Sequence, residues 1–210
     1  MQIVVRCTEA LRQELLQQGL QQAVQPVWVF EKGHFLNYPA ADAFIDLLFE
    51  NEEENLRILQ QCRGVKIISS VVHTLGQTDT SFVRINGWAT FLKSHAIEGS
   101  CRHEDLKKLA AHVFAGFNKT IEWLPDTPGF VVPRVVSLIV SEAYFALAEG
   151  VSTREEIDLA MKLGTAYPFG PFEWSEQIGA KNIATLLTTL SEQEARYKPA
   201  PLLLQHAAAI

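Results

Sequence analysis

Long apolar runs are missing from this sequence. No stretch approaches the roughly 20 apolar residues an α-helix needs to cross a bilayer, so a membrane partner is not expected. A basic tract is missing too. The 18 lysines and arginines are outnumbered by 24 acids, for a net charge of -6, and phosphate-driven recognition of nucleic acid has little to act on. Cysteine is scarce: Cys7, Cys62 and Cys101 lie far apart and form no CxxC pair. That pattern excludes a disulfide framework and points to reduced, packed thiols in a cytoplasmic protein. The six histidines show no metal-ligand spacing, so no metal is expected. The opening MQIVVRCTEALRQELLQQ has too short an apolar run, met at once by polar residues, to read as a signal peptide.

What is present suits a chain with a substantial core: 48% of residues are hydrophobic and 20% charged, the balance of an ordinary globular protein. In the first half, short β-branched runs alternate with polar helical stretches. Ile3 to Val5 form a strand, and Thr8 is placed to cap a helix carrying Leu11, Leu15 and Leu16 that ends near Gly19. Strands are then expected at VQPVWVF, AFIDLLFE, VKIISSVVHTLG and SFVRINGWATFL, with the acid-led helix NEEENLRILQQC between the second and third of these. Strand–helix alternation argues for a mainly parallel sheet covered by helices, an α/β fold.

From Arg102 the pattern changes. RHEDLKKLAAHVFAGF places Leu106, Leu109, Val113 and Phe117 on one helical face, and the short strand KTIEWL follows. Beyond Pro125 only helices are expected: VVSLIVSEAYFALAEG, one opened by STREEIDLAMKLG, and one around IATLLTTLSEQEARY. Ser152 with Glu155, or Thr153 with Glu156, fits a capping box. The apolar tail LLLQHAAAI is expected to dock. The boundary near Pro125 gives a Rossmann-like domain over 1–124 and an all-helical domain over 125–210.

Residues 126–172 carry an ordered set of motifs: Asp126-Thr127-Pro128-Gly129-Phe130, Arg134, Glu142-Ala143, Glu149-Gly150-Val151, Ile157-Asp158, Ala160-Met161, Gly164 and Pro168-Phe169-Gly170-Pro171-Phe172. This segment resembles the start of the C-terminal domain of the 3-hydroxyacyl-CoA dehydrogenases. The residue types also have fold-making roles. Pro128-Gly129 ends a strand, Gly150 suits a left-handed helix terminus, and Pro168 to Pro171 turn one helix into the next. The resemblance implies an acyl-CoA thioester as ligand, NAD as cofactor and a homodimer built through the helical domain.

The first half resembles the family's NAD-binding domain in a reduced form. Glu50, after AFIDLLF, falls where the family carries an acidic residue beside the nicotinamide. The run ending at His73 and Thr74 resembles the strand and serine-rich loop near the substrate. Arg84 and Gly87 match the segment leading to the catalytic histidine.

Against that resemblance, the expected chemistry is depleted. Dinucleotide binding in this fold needs a glycine-rich turn after the first strand, so that backbone can approach the pyrophosphate at a helix N-terminus. Here the turn is Arg6-Cys7-Thr8-Glu9-Ala10, without glycine and with an acid that repels phosphate. Glu31, ending the second strand, is the candidate for a ribose hydroxyl. Counted without gaps from Gly87, the position of the general base holds Ala89, and that of the family's asparagine holds Leu92. A methyl group transfers no proton. Glu98 matches the glutamate that orients the base if three residues are missing before it. A second asparagine of the family is replaced by Pro133, which lacks both side-chain and backbone donors.

His95 and His73 are the remaining histidines near the expected cleft, and both also suit plain surface positions. Trp88, Phe91, Trp123 and Trp174 read as core or seam residues, with an acyl groove as the sharper alternative. Two functions follow: a dehydrogenase relative handling a 3-hydroxyacyl-CoA with weakened or lost NAD-dependent activity, or a non-catalytic dimeric scaffold binding acyl-CoA or a protein. Thioester hydrolysis, a third, lacks a visible nucleophile–base pair.

Overall fold

A computed structural model describes residues 1–209. The chain divides into two compact units, Met1–Phe130 and Val131 onward.

The first unit is built on one seven-stranded sheet. Its strands are β1 (Gln2–Arg6), β2 (Gln25–Val29), β3 (Ala43–Asp46), β4 (Val65–Ser69), β5 (Val83–Ile85), β6 (Ala96–Ser100) and β7 (Thr120–Trp123), in the order β2-β1-β3-β4-β5-β6-β7. All neighbours are parallel except β5 and β6. This is the mainly parallel, Rossmann-like sheet expected of the sequence.

Strand β6 was not expected. Its AIEGS offers only Ile97 as a large apolar residue, and pairing with β5 and β7 supplies what local propensity does not. Conversely, SFVRINGWATFL contributes just three residues to the sheet; Asn86 onward leaves it as a loop.

Side chains of alternate residues point to opposite faces. Ile3 and Val5 of β1 join Ile45, Ile67 and Ile85 under α1 (Glu9–Leu16) and α3 (Glu104–Ala115). Val4, Phe44 and Ile68 face the other way, against a 3₁₀ turn (Lys32–Asn37) carrying Phe35 and α2 (Glu53–Gln61) carrying Leu59. Each fully buried chain of this kind stabilises the fold by about 1.5–3 kcal/mol relative to exposure. Thr8 caps α1, its Oγ1 accepting from Leu11 N at 3.3 Å. Leu109 departs from the expected apolar stripe of α3 and is 51% exposed, while Ala110, Val113 and Phe114 are buried.

The second unit is helical: α4 (Val132–Ala148), α5 (Arg154–Thr165), α6 (Pro171–Ile178), α7 (Ala180–Ser191) and α8 (Pro201–Ala209). Thr153 and Glu156 form the capping box of α5, and Gly150 has φ +72° beyond α4. The tail helix α8 docks: Leu203 is fully buried, Tyr144 of α4 bonds His206 Nδ1 at 2.5 Å, and Ala200 N donates to Ser141 Oγ at 2.9 Å.

Candidate functional site at the carboxyl ends of the central strands

Open α/β sheets bind ligands outside the carboxyl ends of strands where the strand order reverses. Here β2 and β3 flank β1 on opposite sides, so the reversal lies between β1 and β3, whose last residues are Arg6 and Asp46. The two residues face each other in the ladder.

Arg6 reaches across this point. Its Nη1 donates to Asp46 Oδ1 and Oδ2 at 3.3 and 3.2 Å and to Leu48 O at 3.1 Å; its Nε donates to Phe30 O at 3.1 Å. One guanidinium thus ties the ends of β1, β2 and β3 together. Asp46 is fully buried. Burial pushes its carboxyl above the ordinary carboxylate range, and the pull of Arg6 and the Leu48 N–H offsets this only in part.

The turn after β1 is equally occupied. Cys7 is buried, and burial raises its thiol to about 11, so no thiolate nucleophile is available at neutral pH. Thr8 fills the capping position of α1, and Glu9 engages Arg12 at 3.3 Å and Gln13 at 2.6 Å. Beside them lies a small hollow of about 250 Å³ bounded by Glu9, Arg12, Trp28 and Phe30. The Arg12 guanidinium stands 4.9 Å from the Trp28 ring centre. A dinucleotide pyrophosphate takes bare backbone N–H groups at such a turn; this turn presents side chains, an acid among them, and does not fit that group.

The segment in which the sequence places the counterpart of the catalytic loop follows β5. Asn86, 2% exposed, donates through Nδ2 to Glu98 Oε2 at 3.0 Å and accepts from Trp88 N at 3.3 Å. Glu98 therefore holds an asparagine that starts the loop. Thr90 has φ +77°, a strained conformation for a β-branched residue. Its N–H donates to both Glu14 carboxylate oxygens at 2.8 and 2.9 Å. Buried Lys119 donates to Leu92 O at 2.5 Å and Ser94 O at 2.8 Å. Ala89 sits inside this clamp and offers a methyl group.

The loop after β4 is fixed by a second arginine. Arg84, fully buried, donates to His73 O at 2.9 Å and Thr127 O at 2.7 Å, pairs with Asp126 at 3.5 Å, and lies 4.2 Å from the Phe130 ring centre. Burial lowers its pKa to about 10 against the pull of Asp126. Asp126 also accepts from Leu75 N at 3.0 Å, and Gly129 N donates to Val71 O at 2.7 Å. The Asp-Thr-Pro-Gly-Phe motif thus anchors the loop carrying His73 and Thr74. The His73 side chain is exposed, whereas the Thr74 hydroxyl donates to Gln77 Oε1 at 3.2 Å. Glu31 and Glu50 are exposed after β2 and β3, and their carbonyls accept from His34 N and Asn55 Nδ2.

Sequence reasoning missed Arg6, Asp46, Asn86, Glu14 and Lys119. Asp46 carried a signal, an acid ending the apolar AFID run level with an arginine ending β1. Lys119 and Glu14 carried none, since their partners are 25 to 76 residues away.

In the helical unit the family-like motifs do structural work. Asp158 of α5 accepts from Phe172 N at 2.8 Å and Glu173 N at 3.1 Å, capping α6. Gly170 has no side chain because an added Cβ would lie 2.3 Å from that carboxylate. Among the described residues no cluster suits a metal ion, and no helix is long and apolar enough to cross a membrane.

Residues 129–209 match the family model described as 3-hydroxyacyl-CoA dehydrogenase, C-terminal domain. The 3-hydroxyadipyl-CoA dehydrogenase of Escherichia coli (strain K12) is 43% identical over 91 residues, 42% of this chain and 19% of that protein. The 3-hydroxybutyryl-CoA dehydrogenase of Bradyrhizobium diazoefficiens is 36% identical over 189 residues, 80% of this chain and 63% of that protein. The chain therefore spans less than two thirds of the length of either relative. A crystal structure of (S)-3-hydroxybutyryl-CoA dehydrogenase from Ralstonia eutropha superposes with a TM-score of 0.73 at 17% identity, covering 99% of this chain and 93% of that one. At that identity the likeness concerns fold.

Proposed function

From the match of residues 129–209 to the 3-hydroxyacyl-CoA dehydrogenase C-terminal domain, we propose that the chain is an acyl-CoA-handling member of that family in which NAD-dependent hydride transfer is weakened or lost. The observation that carries this reading is the Arg6 guanidinium, bonded across the ends of β1, β2 and β3 at the point where the fold would take its dinucleotide.

Oxidising a hydroxyl-bearing carbon requires a base for the hydroxyl proton and an acceptor for the hydride. Ala89 supplies no base. Glu98 is bonded to the Asn86 amide, which gives it an anchoring task. NAD is the family's cofactor; with the turn from Arg6 to Ala10 filled by side chains, tight binding by the usual route is not expected. Glu31 and Glu50 remain the proposed acids for any residual dinucleotide contact, and Thr74 and His73 the proposed groups beside a thioester.

The helical unit is proposed as a homodimer interface. Leu159 and Leu163 of α5 are 54% and 78% exposed, apolar surface that association would cover. The same face supports a second reading, a non-catalytic dimeric scaffold that binds an acyl-CoA or a protein partner. Free, buried cysteines accord with the cytoplasm as the proposed setting.

Titrating NADH and following its fluorescence tests the first reading. No saturable enhancement in the micromolar range is expected, and neither is turnover of a 3-hydroxyacyl-CoA; saturable micromolar binding would overturn it. Calorimetry with an acyl-CoA separates a thioester-binding chain from a scaffold that holds only a protein partner, since the latter gives no heat of binding.

A further inference from the structure

The loop between β5 and β6 has two fixed ends. At its start the Asn86 amide is bonded to Glu98 at 3.0 Å. Gly87 packs so closely on Ser69 that an added Cβ would lie 2.5 Å from the serine hydroxyl. At the other end Leu92 is fully buried, and the Lys119 ammonium holds the carbonyls of Leu92 and Ser94 at 2.5 and 2.8 Å. Residues 88–91, between these ends, belong to no helix or strand.

The middle of this span is held at a cost. Thr90 stands at φ +77° and is 4% exposed, a backbone region unfavourable to a β-branched side chain. Its Oγ1 is buried without a hydrogen-bond partner, a loss relative to water. Both penalties belong to the closed position and vanish when residues 88–91 move into solvent. One latch opposes them. Among the described residues, the only hydrogen bonds reaching residues 88–91 from outside the loop run from Thr90 N to the two Glu14 carboxylate oxygens, at 2.8 and 2.9 Å. The charged acceptor makes these bonds strong, and they fall on the residue that carries the strain.

We infer that residues 88–91 form a strain-loaded flap, latched shut by Glu14 of α1 and able to swing out between its fixed ends while the sheet stays folded. Loops open locally at a lower free energy than core strands do, and strain at Thr90 with its buried hydroxyl lowers that free energy further. The flap carries Trp88, Ala89 and Phe91, all partly buried when it is shut. It stands at the carboxyl end of β5, the side of the sheet on which open α/β folds take ligands, so its opening is a gate there. The inference goes beyond the functional reading above and does not depend on it, since neither NAD nor a thioester enters the argument.

The test is amide hydrogen exchange of the full chain, read by NMR in the absence of ligand. Phe91 N bonds Trp88 O at 3.3 Å within the flap and reports its opening, while Val5 of central strand β1 reports unfolding of the sheet. Phe91 is expected to exchange faster than Val5, at a rate insensitive to low urea. Glu14→Ala, which keeps a good helix former in α1, should speed Phe91 about tenfold relative to Val5. Thr90→Gly should slow it about tenfold, because glycine accepts the backbone angle and has no hydroxyl to bury. Phe91 exchanging only together with Val5, no gain over Val5 in Glu14→Ala, or unslowed exchange in Thr90→Gly would each overturn the assignment. A loss of stability in Glu14→Ala shared equally by both amides counts among these, since it makes Glu14 a support of the whole unit.

Discussion

Two charged residues in the first unit are held where charge is costly, and each makes a measurable difference. Lys119 is 2% exposed, and desolvation lowers its pKa from 10.5 to about 8, against the pull of Glu14. Below pH 8 the ammonium is charged in both folded and unfolded chains, and the folded state bears the burial penalty. Between about pH 8 and 10.5 the folded chain releases the proton while the unfolded chain keeps it, so stability rises across that window. The gain is on the order of 3 kcal/mol. Urea unfolding at pH 7.5 and pH 10 should show it as a difference between the parent and Lys119→Met, in which this rise is absent. A rise of the same size in the variant would assign it to other groups. Arg6 is the second case. Arg6→Ala strands the buried Asp46 carboxylate and is expected to cost about 3 kcal/mol, read as a lowered urea midpoint. Asp46→Asn in the same background should recover part of that loss. An Arg6→Ala chain as stable as the parent would remove the strand-end tie from the account.

At the scale of elements, the junction of α5 and α6 shows how a family-like motif acts as a folding device. Asp158 accepts two backbone N–H groups from the first turn of α6, and Gly170 leaves room for it. Asp158→Ala should cost about 1–2 kcal/mol, the value of a lost cap. Gly170→Ala should cost more, because its methyl would overlap the carboxylate. Combining the two removes the overlap, so the double variant should melt higher than the sum of the single losses predicts. Simple additivity would mean that the two residues do not meet. The loop after β5 is the contrasting element. It has no regular structure to hold it, and its shape comes from Glu14, Lys119 and Asn86.

For the whole molecule, the exposed leucines of α5 set the expectation about assembly. If the helical unit pairs two copies, Leu163→Glu should shift the mass in analytical ultracentrifugation from dimer towards monomer without changing the fold. A parent chain that sediments as a monomer at all concentrations would sink the proposed dimer. The resemblance to the 3-hydroxyacyl-CoA dehydrogenases, by contrast, rests on the ordered match over residues 129–209, while the superposition at a TM-score of 0.73 concerns the fold.

The helical unit was largely legible before any coordinates, because its information is local. The Thr153–Glu156 box, the Gly150 terminus and the Pro-Gly corner each act over a few residues. So were the strands of the first unit whose own β-branched runs demand burial, Ile3 to Val5 and Val65 to Ile68. Strand β6 was not, since AIEGS has no strong preference of its own and takes its conformation from β5 and β7. The sequence by itself also determined that the turn after β1 is free of glycine, which is a fact of residue type. What fills the site was decided by tertiary structure. Arg6 meets Asp46 only because β1 and β3 became neighbours, and Lys119 reaches the Ala89 loop only because β7 paired with β6. Contacts between residues tens of positions apart are set by the packing of the whole sheet, and no local pattern encodes them.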